Sequence, residues 1–116
     1  MINIDSVVEA FAENVAAQTD AIWRGESGNK YAKRYIKAFA KLRTLGDRGR
    51  DALLPLLRHA RPDVRVAAAA SLLRYREAEA RAVLEEAAKG QSLTAFEAQQ
   101  ALERWADGTW ALDPPG

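Results

Sequence analysis

The side chains that could carry chemistry in this chain are carboxylates, one histidine and a run of basic residues, since the sequence contains no cysteine. Disulfides, thiolate metal ligands and cysteine nucleophiles are therefore excluded. His59 follows a run of apolar residues near the end of a predicted helix, where the helix dipole favours its charged form. No second histidine stands at ligand spacing and no serine pattern completes a catalytic triad, so we expect neither a metal site nor a hydrolase.

Carboxylates are plentiful on the predicted helices, but paired acids on helices mostly serve solubility. Examples are Glu85, Glu86, Glu97 and Glu103. No feature of the sequence marks one of them as an acid with a raised pKa, which general acid catalysis would need. We therefore expect no catalytic residue, no cofactor and no enzymatic activity.

The strongest local charge feature is a basic surface on the second predicted helix, formed by residues that recur every three to four positions: Lys30, Lys33, Arg34, Lys37 and Lys41. This spacing places all five on one helix face. Such a face is most often only solvated, and acids of the first helix could offset its charge. The functional interpretation is a docking surface for an acidic partner or a phosphate backbone. Nucleic acid is the weaker form, because the net charge of the whole chain is only +1.

Two arginines surround the start of the fourth predicted helix. Arg61 is expected to be free to face a partner. Arg65 is expected to form a structural salt bridge with Asp63 or with a neighbouring repeat.

Tryptophan is the third kind of candidate, because it is enriched in binding hot spots. Trp23 is expected to pack at the end of the first helix, and Trp105 in the last core layer. Trp110 lies in a tail beyond the last helix. That tail either folds back to cover the exposed end of a helical stack or presents Trp110 as an interface anchor.

Helical periodicity runs through the chain and no segment alternates with a period of two, so we predict about six helices and no strand. The expected spans are 5–24, 30–45, 52–59 after a charged turn, 62–75, 77–89, and a sixth that opens at Ser92 or Thr94 and stops at Asp107. Pro55 should kink the third helix or mark its first turn. Residues 1–108 form one helical domain, and the tail 109–116 packs on or extends from the last helix pair.

The segment 61–73 comes directly after a predicted apolar helix. It consists of a turn, a proline and a second helix rich in alanine. Pro62 suits a first helical position, and Asp63 then lies where the helix dipole favours a negative charge. The run Ala67–Ala70 lets a neighbouring helix approach closely. This layout predicts an all-α fold of three antiparallel helix pairs in a short HEAT-like α-solenoid, an α-α superhelix.

Asp63, Val64 and Arg65 with the alanines that follow resemble the HEAT-repeat signature. A closer resemblance covers nearly the whole chain and rests on four segments: Trp23–Gly25, Gly28–Tyr35, Leu72–Tyr75 and Gly108–Pro114. They are similar to a small bacterial family of HEAT-like proteins that is catalogued as a domain of unknown function. Members of such families are often encoded beside polymorphic or contact-delivered toxins. The resemblance therefore implies an immunity protein that binds and neutralises a cognate toxin, and it supplies no catalytic residues.

The expected function is thus protein binding without catalysis, with a cognate toxin or another bacterial protein as partner. The contact would use the concave side of the stack, the basic helix, Arg61 or Trp110. One alternative is a generic HEAT-type scaffold or chaperone, and another is a HEAT-like DNA-binding or base-excising protein. No signal peptide and no apolar run of membrane-spanning length is visible, so we expect a cytoplasmic protein. The sequence leaves the toxin and the oligomeric state open.

Overall fold

All regular secondary structure is helical in the computed structural model, which describes residues 2–114. The elements are α1 (Ile4–Trp23), α2 (Asn29–Thr44), α3 (Asp47–Leu53), a 3₁₀ segment (Leu54–Arg58), α4 (Pro62–Ser71), α5 (Glu77–Ala88) and α6 (Leu93–Asp107). No strand occurs among the described residues. The expected all-α fold with six helices is confirmed.

The chain divides into two compact units, Met1–Leu56 and Leu57–Gly116. The first contains α1, α2 and α3, and the second contains α4, α5 and α6. The prediction of three stacked pairs in a solenoid extends over both units and stays a prediction.

In the first unit, α1 and α2 form an antiparallel hairpin. Phe11 and Val15 on α1 and Phe39 and Leu42 on α2 are buried. The ring of Phe11 meets the ring of Tyr35 edge to face, with centroids 5.5 Å apart. The start of α1 is capped by Asn3, whose Oδ1 accepts a hydrogen bond of 3.1 Å from the Ser6 N–H. From the sequence alone, Asp5 or Ser6 would be expected to cap this helix, which is wrong because the helix already begins at Ile4.

Helix α3 packs closely on α2 at a glycine. Gly49 is buried, and a Cβ added to it would collide with the carbonyl oxygen of Leu42. The segment 47–51, which was expected to be a charged turn, is instead part of α3. The helix narrows into the 3₁₀ segment at Leu54, next to Pro55. The expected disturbance at Pro55 is confirmed, since proline has no N–H to continue the α-helical pattern.

In the second unit, α4 contacts both α5 and α6. It begins at Pro62 as expected and buries Val64, Val66, Ala68 and Ala69. It ends at Ser71 rather than at Tyr75. The Leu72 N–H still donates to the Ala68 carbonyl (3.0 Å), but the next residues form turns, so that Leu72 and Leu73 are both fully buried.

Helices α5 and α6 form the other layer of this unit through buried alanines and Leu84. Ser92 caps α6, because its Oγ accepts a hydrogen bond of 3.1 Å from the Ala95 N–H. The helical spacing of Phe96 with Ala98, Ala101 and Trp105 predicts that Phe96 is buried, but it is 55% exposed. The buried stripe of α6 consists of Ala95, Ala98 and Ala101, and a residue one step from that stripe faces solvent.

Candidate functional site

The basic surface on α2 is present and faces solvent. We define it by its five exposed members: Lys30, Lys33, Arg34, Lys37 and Lys41. The buried residues of α2, Ala38, Phe39 and Leu42, lie on another face and hold the helix against α1. At the start of α2, the Lys30 Nζ lies 4.9 Å and the Arg34 Cζ 5.6 Å from the centre of the Tyr31 ring. The first turns of the basic surface therefore join two cations to an aromatic ring.

The remaining lysines of the basic surface carry uncompensated charge. Within residues 2–114, no carboxylate forms an ion pair with Lys33, Lys37 or Lys41. The acids on the outer face of α1, which are Asp5, Glu9 and Glu13, are exposed and form no ion pair within the same residues. Direct pairing with α1 therefore does not account for the basic surface.

An exposed isoleucine borders the basic surface and was missed from the sequence. Ile36 is 53% exposed and lies one helical turn from Lys33 and from Ala40. The helical spacing could have indicated this exposure. The apolar residues on one face of α2 are Tyr31, Tyr35, Ala38 and Leu42, and Ile36 falls outside that face. Ile36 therefore adds an exposed apolar side chain next to the basic surface.

Trp23 does not pack at the end of α1, as the sequence suggested, but is 78% exposed. Ala21 supplies the buried contact in this turn, while the neighbouring Ile22 is 41% exposed. Consecutive residues on a helix point in directions about 100° apart, so Ala21, Ile22 and Trp23 cannot share one face. The core uses the smallest of the three.

Neither arginine near the start of α4 makes the contacts expected for it. Arg61, expected to be free, donates from Nε and Nη2 to the two carboxylate oxygens of Asp63 at 3.1 and 3.0 Å. Arg65, expected to pair with an acid, instead donates from Nη1 to the carbonyl oxygens of His59 (2.6 Å) and Ala60 (3.2 Å). The use of Arg61 in partner binding stays a prediction, and 40% of its side chain is exposed.

His59 also takes part in this turn. Its Nδ1 accepts a hydrogen bond of 3.0 Å from the Arg61 N–H. The imidazole therefore helps to fix the backbone of the turn that leads into α4.

The tail folds back onto the second unit. The Trp110 indole N–H donates to the carbonyl oxygen of Ala70 (2.8 Å), and its ring meets Trp105 edge to face at 5.1 Å. The backbone N–H groups of Thr109 and Trp110 both donate to the Arg104 carbonyl oxygen. These contacts give Trp110 a structural role, and its role as a partner anchor stays a prediction. Residues 115 and 116 of the expected tail lie outside the described part of the chain.

One carboxylate has a perturbed titration that the sequence did not reveal. Partial desolvation raises the pKa of Glu97 on α6, and the negative charge of Asp63 raises it further. Asp63 lies on α4, far away in sequence, so no local pattern could have indicated this proximity. Among residues 2–114, no group of three or more histidine and carboxylate side chains is placed to hold a metal ion.

No helix in the described part of the chain combines the length and the apolar character that crossing a membrane requires. The protein is thus an all-α domain with an exposed basic helix and a tail locked to its second unit. It belongs to the family described as domain of unknown function DUF2019, whose model matches residues 5–105. The match runs from the first turn of α1 into the last turn of α6. No curated protein and no solved structure is significantly similar to the chain.

Proposed function

We propose that this chain is a non-catalytic protein-binding module that docks an acidic surface of its partner on the basic surface of α2. The observation that carries the proposal is the absence of any ion pair for Lys33, Lys37 and Lys41 within residues 2–114. Like charges four residues apart destabilise a helix by a few tenths of a kcal/mol per pair. A partner's carboxylates would reverse the sign of that contribution.

The partner that we propose is a bacterial protein toxin, which the chain would neutralise in the cytoplasm by covering its active surface. This step rests on the resemblance to HEAT-like families encoded beside toxins. A scaffold or chaperone would use the same surface, but its gene would have no toxin gene beside it. Nucleic acid fits less well, because the net charge of the chain is only +1, so that no general positive field attracts a phosphate backbone.

The test begins with recovery of the partner by pull-down from the native strain, followed by mass spectrometry. Binding of the purified partner is then measured for the wild type and for Lys33→Glu/Lys37→Glu at two salt concentrations. We expect slower association and a dissociation constant at least about tenfold higher for the variant. Added salt should weaken the wild-type complex more than the variant complex, because screening acts on an attraction that the variant has lost.

The matched control is Arg48→Glu/Arg58→Glu, which changes the net charge equally. Both arginines are exposed and lie outside the basic surface. Unchanged affinity in a folded Lys33→Glu/Lys37→Glu variant would remove α2 from the interface. For the toxin step, the wild type should restore growth to cells that express the recovered partner, and the Lys33→Glu/Lys37→Glu variant should not. A recovered partner that leaves growth unaffected would favour the scaffold.

A further inference from the structure

The end of the hairpin at which the loop joins α1 to α2 exposes a tryptophan that does not pack in the core. Trp23 has the highest exposure, 78%, among the large hydrophobic side chains that face solvent, and Ile22 beside it is 41% exposed. A tryptophan buries about 150–250 Å² when it is covered, which makes it the largest single apolar contribution available at an interface. Its substitution should hardly affect folding, since the side chain contributes little to the core.

This end of the hairpin is also where the basic surface begins. A Cβ added to Gly28 would lie 2.6 Å from the Gln18 Cγ and 3.5 Å from the Ile22 Cδ1, so the start of α2 rests against the last turn of α1. Lys30 and Arg34, the cations that flank Tyr31, occupy the first turns of α2. The exposed apolar pair and these cations therefore share one end of the hairpin.

We infer that Trp23 is the aromatic anchor of the interface on α2, and that it enters an apolar pocket of the partner protein whose rim carries carboxylates facing Lys30 and Arg34. This inference rests on the proposed function and adds the feature that would hold the complex together. Hot spots are enriched in tryptophan and arginine and are surrounded by contacts that exclude water. Charge on the rim accelerates association, whereas a buried aromatic anchor mainly slows dissociation.

Charge complementarity selects a heterologous acidic protein over two other occupants. In a two-fold dimer of this chain built on Trp23, the same cations of both copies would approach each other. An anionic lipid surface is negative throughout, so it would meet the exposed Asp20 and the Arg24–Glu26 ion pair (3.2 Å) as well as the cations, whereas a protein pocket can place its carboxylates opposite Lys30 and Arg34 alone. An acidic protein pocket avoids both kinds of like-charge repulsion if its carboxylates lie opposite Lys30 and Arg34.

The first experiment places the photo-crosslinking residue benzoylphenylalanine at position 23, 37 or 82 of the full chain in the native strain. Position 82 is the control, because Ala82 is exposed on α5. We expect the same heterologous protein to be crosslinked from positions 23 and 37, through a segment rich in carboxylates, and not from position 82. Crosslinking of that protein from 37 alone would overturn the anchor and leave the proposed function standing. Crosslinking from neither position would overturn both, and a crosslink from 23 only to a second copy would replace the anchor by a dimer contact.

The second experiment measures binding of that purified protein to Trp23→Ala, Trp23→Phe and Lys33→Glu/Lys37→Glu. Trp23→Ala should raise the dissociation constant at least about tenfold, mainly through faster dissociation, and keep the salt dependence of the wild type. Trp23→Phe should recover part of the loss, and both Trp23 variants should melt like the wild type. Unchanged affinity for Trp23→Ala overturns the anchor, whatever the lysine variant shows. Co-sedimentation of the wild type with phosphatidylglycerol vesicles that Trp23→Ala loses would overturn it in favour of a lipid surface.

Discussion

Arg74 contacts both the side-chain carboxylate and the backbone carbonyl of Asp113. Its Nη2 lies 3.3 Å from the carboxylate Oδ2, and its Nε donates a hydrogen bond of 2.6 Å to the backbone carbonyl oxygen. The side chain of Asp113 is completely buried, whereas that of Arg74 is 34% exposed. A carboxylate removed from water is tolerated only when its charge is compensated. The turn after α4 therefore fixes both the charge and the backbone of the tail.

The first prediction concerns this pair. Arg74→Ala removes the guanidinium and leaves a buried carboxylate without this partner. We expect the free energy of unfolding to fall by about 3 kcal/mol, the lower end for breaking a buried pair, because Arg74 is partly solvated. Urea unfolding provides the measurement. Arg48→Ala, at an exposed position with no ion pair among residues 2–114, should stay within about 0.5 kcal/mol of the wild type. Equal stabilities for the two variants would contradict the role of the pair.

The second prediction concerns packing in the second unit. Ala68 is fully buried on α4, as the alanine run suggested. Ala68→Leu should overpack the contact and lower the free energy of unfolding by about 1–3 kcal/mol. The control is Ala82→Leu on the exposed face of α5, for which we expect almost no change. Thermal melting decides the outcome, and an unchanged melting temperature for Ala68→Leu would mean that α4 has room for a larger side chain.

The third prediction reverses the usual effect of replacing glycine within a helix. Alanine is favoured over glycine in a helix by about 1 kcal/mol. At Gly49, however, the added Cβ would collide with the Leu42 carbonyl oxygen, so Gly49→Ala should be destabilising by about 1–3 kcal/mol. Gly90→Ala, just after the end of α5, is the steric control, because the nearest neighbour of its added Cβ would lie at an ordinary 3.5 Å. Stabilisation by Gly49→Ala in denaturant unfolding would show that α3 is not held tightly on α2.

The fourth prediction uses the raised pKa of Glu97. Desolvation, with the charge of Asp63, disfavours the ionised form in the folded state, so the folded protein binds the proton more tightly than the unfolded chain. Stability from this group therefore decreases as the pH rises from the unfolded pKa through the higher folded pKa. Glu97→Gln, which stays neutral, should be slightly more stable than the wild type at pH 7. That advantage should disappear as the pH falls below the ordinary glutamate pKa.

Denaturant unfolding at several pH values measures this difference. Glu103→Gln is the control, because Glu103 is also an exposed glutamate of α6. An advantage of Glu97→Gln that stays constant between pH 4 and 7 would mean that Glu97 titrates alike in the folded and unfolded chain.

Local signals in the sequence predicted the helices well. The interruption at Pro55 and the start of α4 at Pro62 are confirmed, because each depends on residues within one or two turns. The four-residue spacing of Glu77, Arg81 and Glu85 predicts two ion pairs, and both are present. The same spacing predicts a pair of Lys89 with Glu85, but Lys89 pairs with Glu86 at 3.0 Å, an equally local partner.

The features that the sequence could not specify depend on tertiary packing. A tail that folds back was one of two expectations, but the contact of Trp110 with Ala70 joins residues 40 positions apart. The raised pKa of Glu97 arises from desolvation and from a carboxylate of another helix. The prediction that Trp23 is buried was wrong for a related reason. Its hydrophobicity suggested burial, but the residue of α1 that faces the core at this turn is Ala21. For the candidate site, helical spacing located the basic surface, but the lack of ion pairs with α1 required the three-dimensional structure.

The hydrogen bond and the ion pair of the tail bear on the order in which the two units fold during translation. The hairpin of α1 and α2 is assembled from neighbouring segments and can form while the ribosome is still adding later residues. The contacts within the second unit are completed by Trp110 and Asp113, which are synthesised after every helix that they contact. Until they emerge, Arg74 and the Ala70 carbonyl lack these partners. A nascent chain should therefore present its basic hairpin before its second unit has closed.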